Sequence, residues 1–166
     1  MARLVAERFD PAACVESYWF WTTIVRGLVL PWLPEADAQN GTVLRACAAV
    51  AAELSGGGYT VVVDGIIGPW YLDLVIDEFR RRGVEVHYVI LRPGLEVVLA
   101  RAASRGGEER VPGHPALVEE GPVRRLWEQF QNLGPLECHV VDNGVLDAEQ
   151  TVDIVWTRFV NGTDRL

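Results

Sequence analysis

Three predicted strand ends carry polar groups whose types allow chemistry. Asp64 ends the run "VVVD" and precedes "GIIGPW", whose glycines permit close approach of a ligand. Glu16 and Ser17 end "ACVES", and Asp142 with Asn143 follows "CHVV". In open parallel sheets, ligands bind beyond the carboxyl ends of the strands. There Asp64 can act as a general base or as a water-mediated magnesium contact. The plainer reading is that Asp64 caps the next turn, a common place for aspartate.

Arg101 and Arg105 lie four apart, on the face of a predicted helix opposite its apolar stripe. Two guanidiniums beside an irregular segment suit a phosphate clamp that closes over a nucleotide. The alternative is a solvated face paired with local carboxylates. Arg124 and Arg125 lie beyond that segment and can contribute to the same clamp. Trp19 in "YWFW", Trp32 in "LPWLP" and Trp70 follow the first two strands and can wall an apolar acceptor pocket. Ordinary core packing is the bland reading for most of these aromatics. His87, His114 and His139 share no metal-ligand spacing, and no metal ligand set is assigned.

The elements that must position these groups alternate along the chain. Met1, Val5 and Phe9 share one helical face from the very first residue, with no cap before them. Residues 12–16 read as a short strand, and 42–54 as a helix ended by Gly56, Gly57 and Gly58. Residues 59–65 form a continuous β-branched run, the pattern of a strand buried on both faces. A helix over Tyr71 to Phe79 ends on three arginines, with Gly83 just past it. Residues 84–91 are the next strand, and Pro93 opens a helix with Leu95, Val98, Leu99 and Ala102 inward. Residues 106–121 show no sustained period, as in a lid or a disordered segment. Pro122 opens another helix, 138–142 is a last strand, and Asp147 with Gln150 starts a final helix through a capping box. The alternation predicts one α/β domain over 1–166 with a mostly parallel sheet.

Bulk properties narrow the function. At 166 residues the chain can bury a real core, and no apolar run predicts a membrane span. The start lacks the order of a signal peptide, so a cytoplasmic location is expected. A net charge of −8 argues against a general nucleic-acid binder. All 15 basic residues are arginines, which excludes Schiff-base lysine chemistry and the lysine of a phosphate-binding loop within this chain. Cys14, Cys47 and Cys138 are odd in number and far apart, the usage of buried thiols.

The order helix, "VES", aromatic helix, "VVVDGIIGPW", "LRPGLEVVLARAASRG", loop and "CHVVDNGVLDAEQT" resembles small P-loop kinase-like proteins. These are phosphotransferases of the chloramphenicol-phosphotransferase, gluconate-kinase and shikimate-kinase type, and the resemblance spans essentially the whole chain. It implies a three-layer P-loop NTPase-like fold, ATP and Mg²⁺ as cofactors, and a small hydroxyl-bearing substrate. It assigns Asp64, Arg101 and Arg105 to catalysis. Arg101, Arg105, Arg124 and Asp142 go to the nucleotide, and Glu16, Trp19, Trp32 and Trp70 to the acceptor. Relatives commonly carry an aspartate where this chain has Tyr18, and a phenol is a poor base at neutral pH. Glu16 or Asp64 must then take that role, or phosphoryl transfer is lost.

The resemblance also implies a first strand and GxxxxGK followed by Ser or Thr ahead of the opening helix. The expectation is therefore that Met1 is an internal or misassigned start, or that the coding sequence is truncated. An in-frame upstream stretch encoding that loop supports this, and a stop codon immediately before Met1 removes it. In that family the first strand is central. Its absence leaves a gap to be closed by pairing 59–64 directly with 85–91, or by a borrowed strand. A non-catalytic relic that binds nucleotide weakly or not at all is the rival reading. A dinucleotide-binding module is disfavoured, because no GxGxxG follows a strand.

Overall fold

The computed structural model describes residues 1–106 and 116–166. The chain opens with helix α1 (Ala2–Ala6), strand β1 (Ala12–Glu16) and the short helix α2 (Tyr18–Trp21). A 3-10 turn at Pro34–Ala36 runs straight into α3 (Asp37–Gly56), followed by β2 (Thr60–Asp64) and α4 (Pro69–Arg81). Then come β3 (Ile90–Leu91), α5 (Leu95–Ala103), α6 (Glu120–Gln129), a 3-10 segment at Gly134–His139, β4 (Val140–Val141) and α7 (Ala148–Val160).

The strands make two separate parallel pairs. β1 and β2 run in register from Ala12 opposite Thr60 to Glu16 opposite Asp64. β3 pairs with β4 through Ile90–Val140 and Leu91–Val141. The class is α/β with parallel strands, as the alternation predicts. One continuous sheet does not form among the described residues, and β2 does not pair with β3. Direct closure of the gap by 59–64 against 85–91 is thus corrected.

The larger core lies between the first pair and the α3–α4 layer. Val43, Leu44, Cys47, Ala48 and Ala51 of α3 meet Val75 and Phe79 of α4, with Val15 and Trp21. Val61 and Val63 of β2 pack against this cluster. The small residues Ala48, Ala51 and Ala52 let α3 sit close to its neighbours, and all three are buried. Trp21 Nε1 donates to Asn40 Oδ1 at 3.1 Å, and Asn40 Nδ2 donates to the Pro31 carbonyl at 2.8 Å. These bonds satisfy the buried polar atoms that would otherwise cost stability.

On the opposite side, α1 lies against β1, β2 and α7. The Phe9 ring meets Trp156 at 5.1 Å and Phe159 at 5.0 Å, both edge-on. His87 meets Phe159 at 4.5 Å. Helices α1 and α3 therefore both pack against the β1–β2 pair.

Several boundaries differ from expectation for identifiable reasons. Residues 84–91 shrink to a two-residue strand because β4 supplies only two partners. The earlier part is tied instead to the chain end: Tyr88 N donates to the Asp164 carbonyl at 2.8 Å, and Leu166 N to the Val86 carbonyl at 3.0 Å. Cys138 and His139 belong to the 3-10 segment rather than the last strand. Gly134 turns the chain at φ +58°, and Pro135 favours the turn that follows. β2 is only half-buried over Thr60–Val63, not buried on both faces, because one of its edges lies open. The Asp147–Gln150 capping box forms as read, with both reciprocal bonds present. Of the predicted lid, residues 107–115 lie outside the described residues, and α6 begins at Glu120, ahead of Pro122. No helix of the described residues is long and apolar enough to cross a membrane.

Candidate functional site

The strand ends gather polar groups in two clusters. At the end of the first pair, Glu16 stands opposite Asp64 in the register, which sets the two carboxylates on adjacent strands. Glu16 accepts from Arg3 Nε at 2.9 Å and from Trp19 Nε1 at 3.2 Å. Hydrogen bonds from Tyr18, and next from Arg3, hold its carboxyl below the ordinary carboxylate range. An ionised, fully engaged carboxylate is a weak proton acceptor. Of the two candidate bases, exposed Asp64 is the more accessible.

Gly65 follows Asp64 and touches Ser17, which is itself buried and donates its N–H to the Asp64 carbonyl at 2.8 Å. A Cβ on Gly65 would sit 2.0 Å from Ser17 Oγ and 2.9 Å from Ser17 Cβ. The glycine thus serves close packing of the β1 and β2 ends. Gly65→Ala is expected to destabilise the chain by about 1–3 kcal/mol, the range for overpacking. Urea unfolding checks this, and an unchanged midpoint would refute it.

The second cluster lies at the ends of β3 and β4. Arg92 donates to the Phe130 carbonyl at 2.7 Å and grips Glu137 through both terminal nitrogens at 3.0 and 2.8 Å. That bidentate pair, with the Leu133 N–H, brings the Glu137 carboxyl down to about 2. A depressed carboxylate stabilises the fold above its ordinary value near 4.5, and that contribution is lost as pH falls toward 2. The thermal midpoint is therefore expected to fall on acidification through this window. Glu137→Gln should flatten that dependence, and an identical slope in variant and parent would count against the pair.

Arg101 Nη2 donates to the Asn143 carbonyl at 3.0 Å, and Asp142 Oδ1 accepts from Gly144 N at 2.8 Å. Asn143 is buried, and its Oδ1 has no partner among the described residues. Arg105 Nε turns back to the Arg101 carbonyl at 3.2 Å. Arg101 thus reaches the end of β4, and residues 107–115 of the segment that the pair was expected to face lie outside the described residues. Arg124 is bound to Glu120, one turn away, at 2.6 Å.

Trp70 is 46% exposed and meets Phe130 edge-on at 5.3 Å. Trp70 opens α4 after the end of β2, and Phe130 caps the C-terminal end of α6, its carbonyl accepting from Arg92 just after β3. Trp19 stacks on Tyr18 at 5.2 Å beside Glu16. Trp32 is half-buried, and among the described residues no ring contact joins it to Trp19 or Trp70. Sequence reasoning missed Arg92 and Glu137. Only the position of Arg92 directly after a strand pointed to that pair.

Among the described residues no group of three or more His, Cys, Asp or Glu is placed to share a metal ion. No protein-family model and no curated protein matches the chain.

Proposed function

We propose that the chain carries the acceptor and nucleoside sides of a P-loop-like, ATP-dependent phosphotransferase of a small hydroxyl-bearing molecule. The supporting observation is the Trp70–Phe130 contact. It joins the segment that follows Asp64 to the cap of α6 beside Arg92, which supports a shared site for Asp64, Arg101 and Asp142. Asp64 is the acceptor-side base in this reading, with Trp19 and Trp70 as apolar walls. Arg101, Arg105 and the Asp142–Asn143 turn face the nucleotide, and Asn143 Oδ1 supplies an acceptor that lacks a donor among the described residues.

ATP with Mg²⁺ fits these residues only in part. Asp64 is the kind of single carboxylate that Mg²⁺ uses together with phosphate oxygens. The β- and γ-phosphates, however, need a lysine or a nest of backbone N–H groups. The chain has no lysine, so these residues hold no GxxxxGK loop. No transfer step is assigned on these residues.

Calorimetric titration of the 166-residue chain with MgATP tests the nucleotide side. The expected Kd is on the order of 1 mM, about −4 kcal/mol, with the heat lost in Arg101→Ala. The absence of lysine favours a second reading, a non-catalytic relative of such enzymes. No saturable heat, or heat indifferent to Arg101→Ala, would favour it.

A further inference from the structure

We propose that the carboxyl end of the β1–β2 pair binds a hydroxyl-bearing organic cation, an amine or a quaternary ammonium compound, with the cationic centre on the face of Trp19 and beside the Asp64 carboxylate. The aromatic part comes first. The Tyr18 and Trp19 rings stack at 5.2 Å with an interplanar angle of 27°, and Trp19 stays 56% exposed. The phenol covers one face of the indole, so the exposed area lies on the other face and the outer edge. Trp19 Nε1 donates to Glu16 Oε2 at 3.2 Å. That bond fixes the ring, and a donor bound to a carboxylate is polarised toward a more electron-rich ring. Among aromatic side chains, an indole face attracts a cation most strongly.

The charge at this end is negative. Glu16 is offset by Arg3 at 2.9 Å. Asp64, opposite Glu16 in the register, is exposed, and its carboxylate has no hydrogen bond or ion pair among the described residues. Burial first, then the charges of Glu16 and Asp64, push the Cys14 thiol above its ordinary value, so both carboxylates act at the same strand end. The turn after Asp64 lies against the aromatic pair: a Cβ on Gly65 would meet Ser17, the residue before Tyr18. Further along that turn, a Cβ on Gly68 would sit 2.3 Å from Trp70 Cζ2, so a second indole lies along it. Ile66, between the two glycines, is 57% exposed.

Charge selects among the possible ligands. An anionic molecule is repelled by Asp64, and Arg3, the cation the structure places at this end, is already held by Glu16. A neutral molecule uses the indole surface and leaves the Asp64 charge unanswered. An organic cation uses both, through attraction to the ring face and to the carboxylate. A hydroxyl a few bonds from the nitrogen can donate to Asp64 while the cationic group covers Trp19. That this cation is the phosphoryl acceptor rests on the phosphotransferase reading, whereas its binding to this strand end does not.

The test titrates the whole chain with choline, with its neutral isostere 3,3-dimethyl-1-butanol and with the anion hydroxypivalate, and follows the indole N–H signals by NMR. Trp19→Phe assigns the Trp19 signal. Choline is expected to shift that signal saturably and to bind about tenfold tighter than the neutral isostere. Asp64→Asn, an exposed change whose fold the same spectrum reports, should weaken choline about tenfold and leave the neutral isostere unchanged. Three outcomes overturn the proposal. They are no saturable Trp19 shift with choline, equal affinity for choline and its isostere, or tighter binding of the anion. MgATP calorimetry on the same chain is read separately. Choline selectivity without MgATP heat counts against the phosphotransferase reading alone, and MgATP heat without choline selectivity counts against the cation alone.

Discussion

Arg158→Met is expected to cost about 3–5 kcal/mol, the range for breaking a buried ion pair from one side. Asp164 has 0% exposure, and Arg158 Nε donates to its Oδ2 at 2.8 Å while Nη2 donates to Oδ1. The same Nη2 reaches the Cys138 carbonyl. His139 Nδ1 is 3.5 Å from Asp164 Oδ1 but already bonds the Tyr88 carbonyl at 2.9 Å. Without the guanidinium, a buried carboxylate is left without its charge partner. The loss spreads because the Asp164 backbone also holds Tyr88 in place beside β3. Against a total stability of about 5–15 kcal/mol, the variant stands near the limit of folding. Adding Asp164→Asn should recover part of the loss, since no buried charge is then left. Urea unfolding reads both, and a loss below about 1 kcal/mol for Arg158→Met would contradict this account.

Leu44→Ala is expected to cost about 2–5 kcal/mol, as cavity-forming changes in buried leucines do. Leu44 is 1% exposed at the centre of the α3 face, among Cys47, Ala48, Val75 and Phe79. Its alanine neighbours have no side-chain length with which to fill the space. The strands are split into two pairs, so the α3–α4 layer carries a large share of the apolar burial. Val50→Ala on the outward side of α3, at 43% exposure, is the internal control, with a change within about 0.5 kcal/mol. Similar losses in both variants would show that α3 does not bury the face described.

Helices were the legible part of this sequence because their signals are local. The α7 start announces itself in Asp147 and Gln150, three residues apart. The α4 end is marked by its arginines and by Gly83, which takes φ +67° there. Strand extent depends on partners elsewhere in the chain. The β-branched character of 84–91 predicts a long strand, but only Ile90 and Leu91 find a strand partner. The site divides in the same way. Asp64 and Asp142 are visible as residues ending apolar runs. The engagement of Glu16 by Arg3 spans 13 positions and that of Arg92 with Glu137 spans 45, and no local pattern encodes either. The arginines of α5 illustrate the limit. Their spacing shows that they share a helix side, and only the fold shows that Arg101 is occupied by the Asn143 carbonyl.

The division of the strands into two separate parallel pairs is the central claim, and amide exchange of the chain alone tests it most directly. The Val62 and Ile90 amides, directed to β1 and β4, should exchange slowly. Those of Val61, Val63, Val89 and Leu91 should exchange at least roughly 100-fold faster, as backbone groups without a ladder partner do. Equal protection along both strands would mean that β2 and β3 complete each other's ladders, and the two pairs would be one sheet.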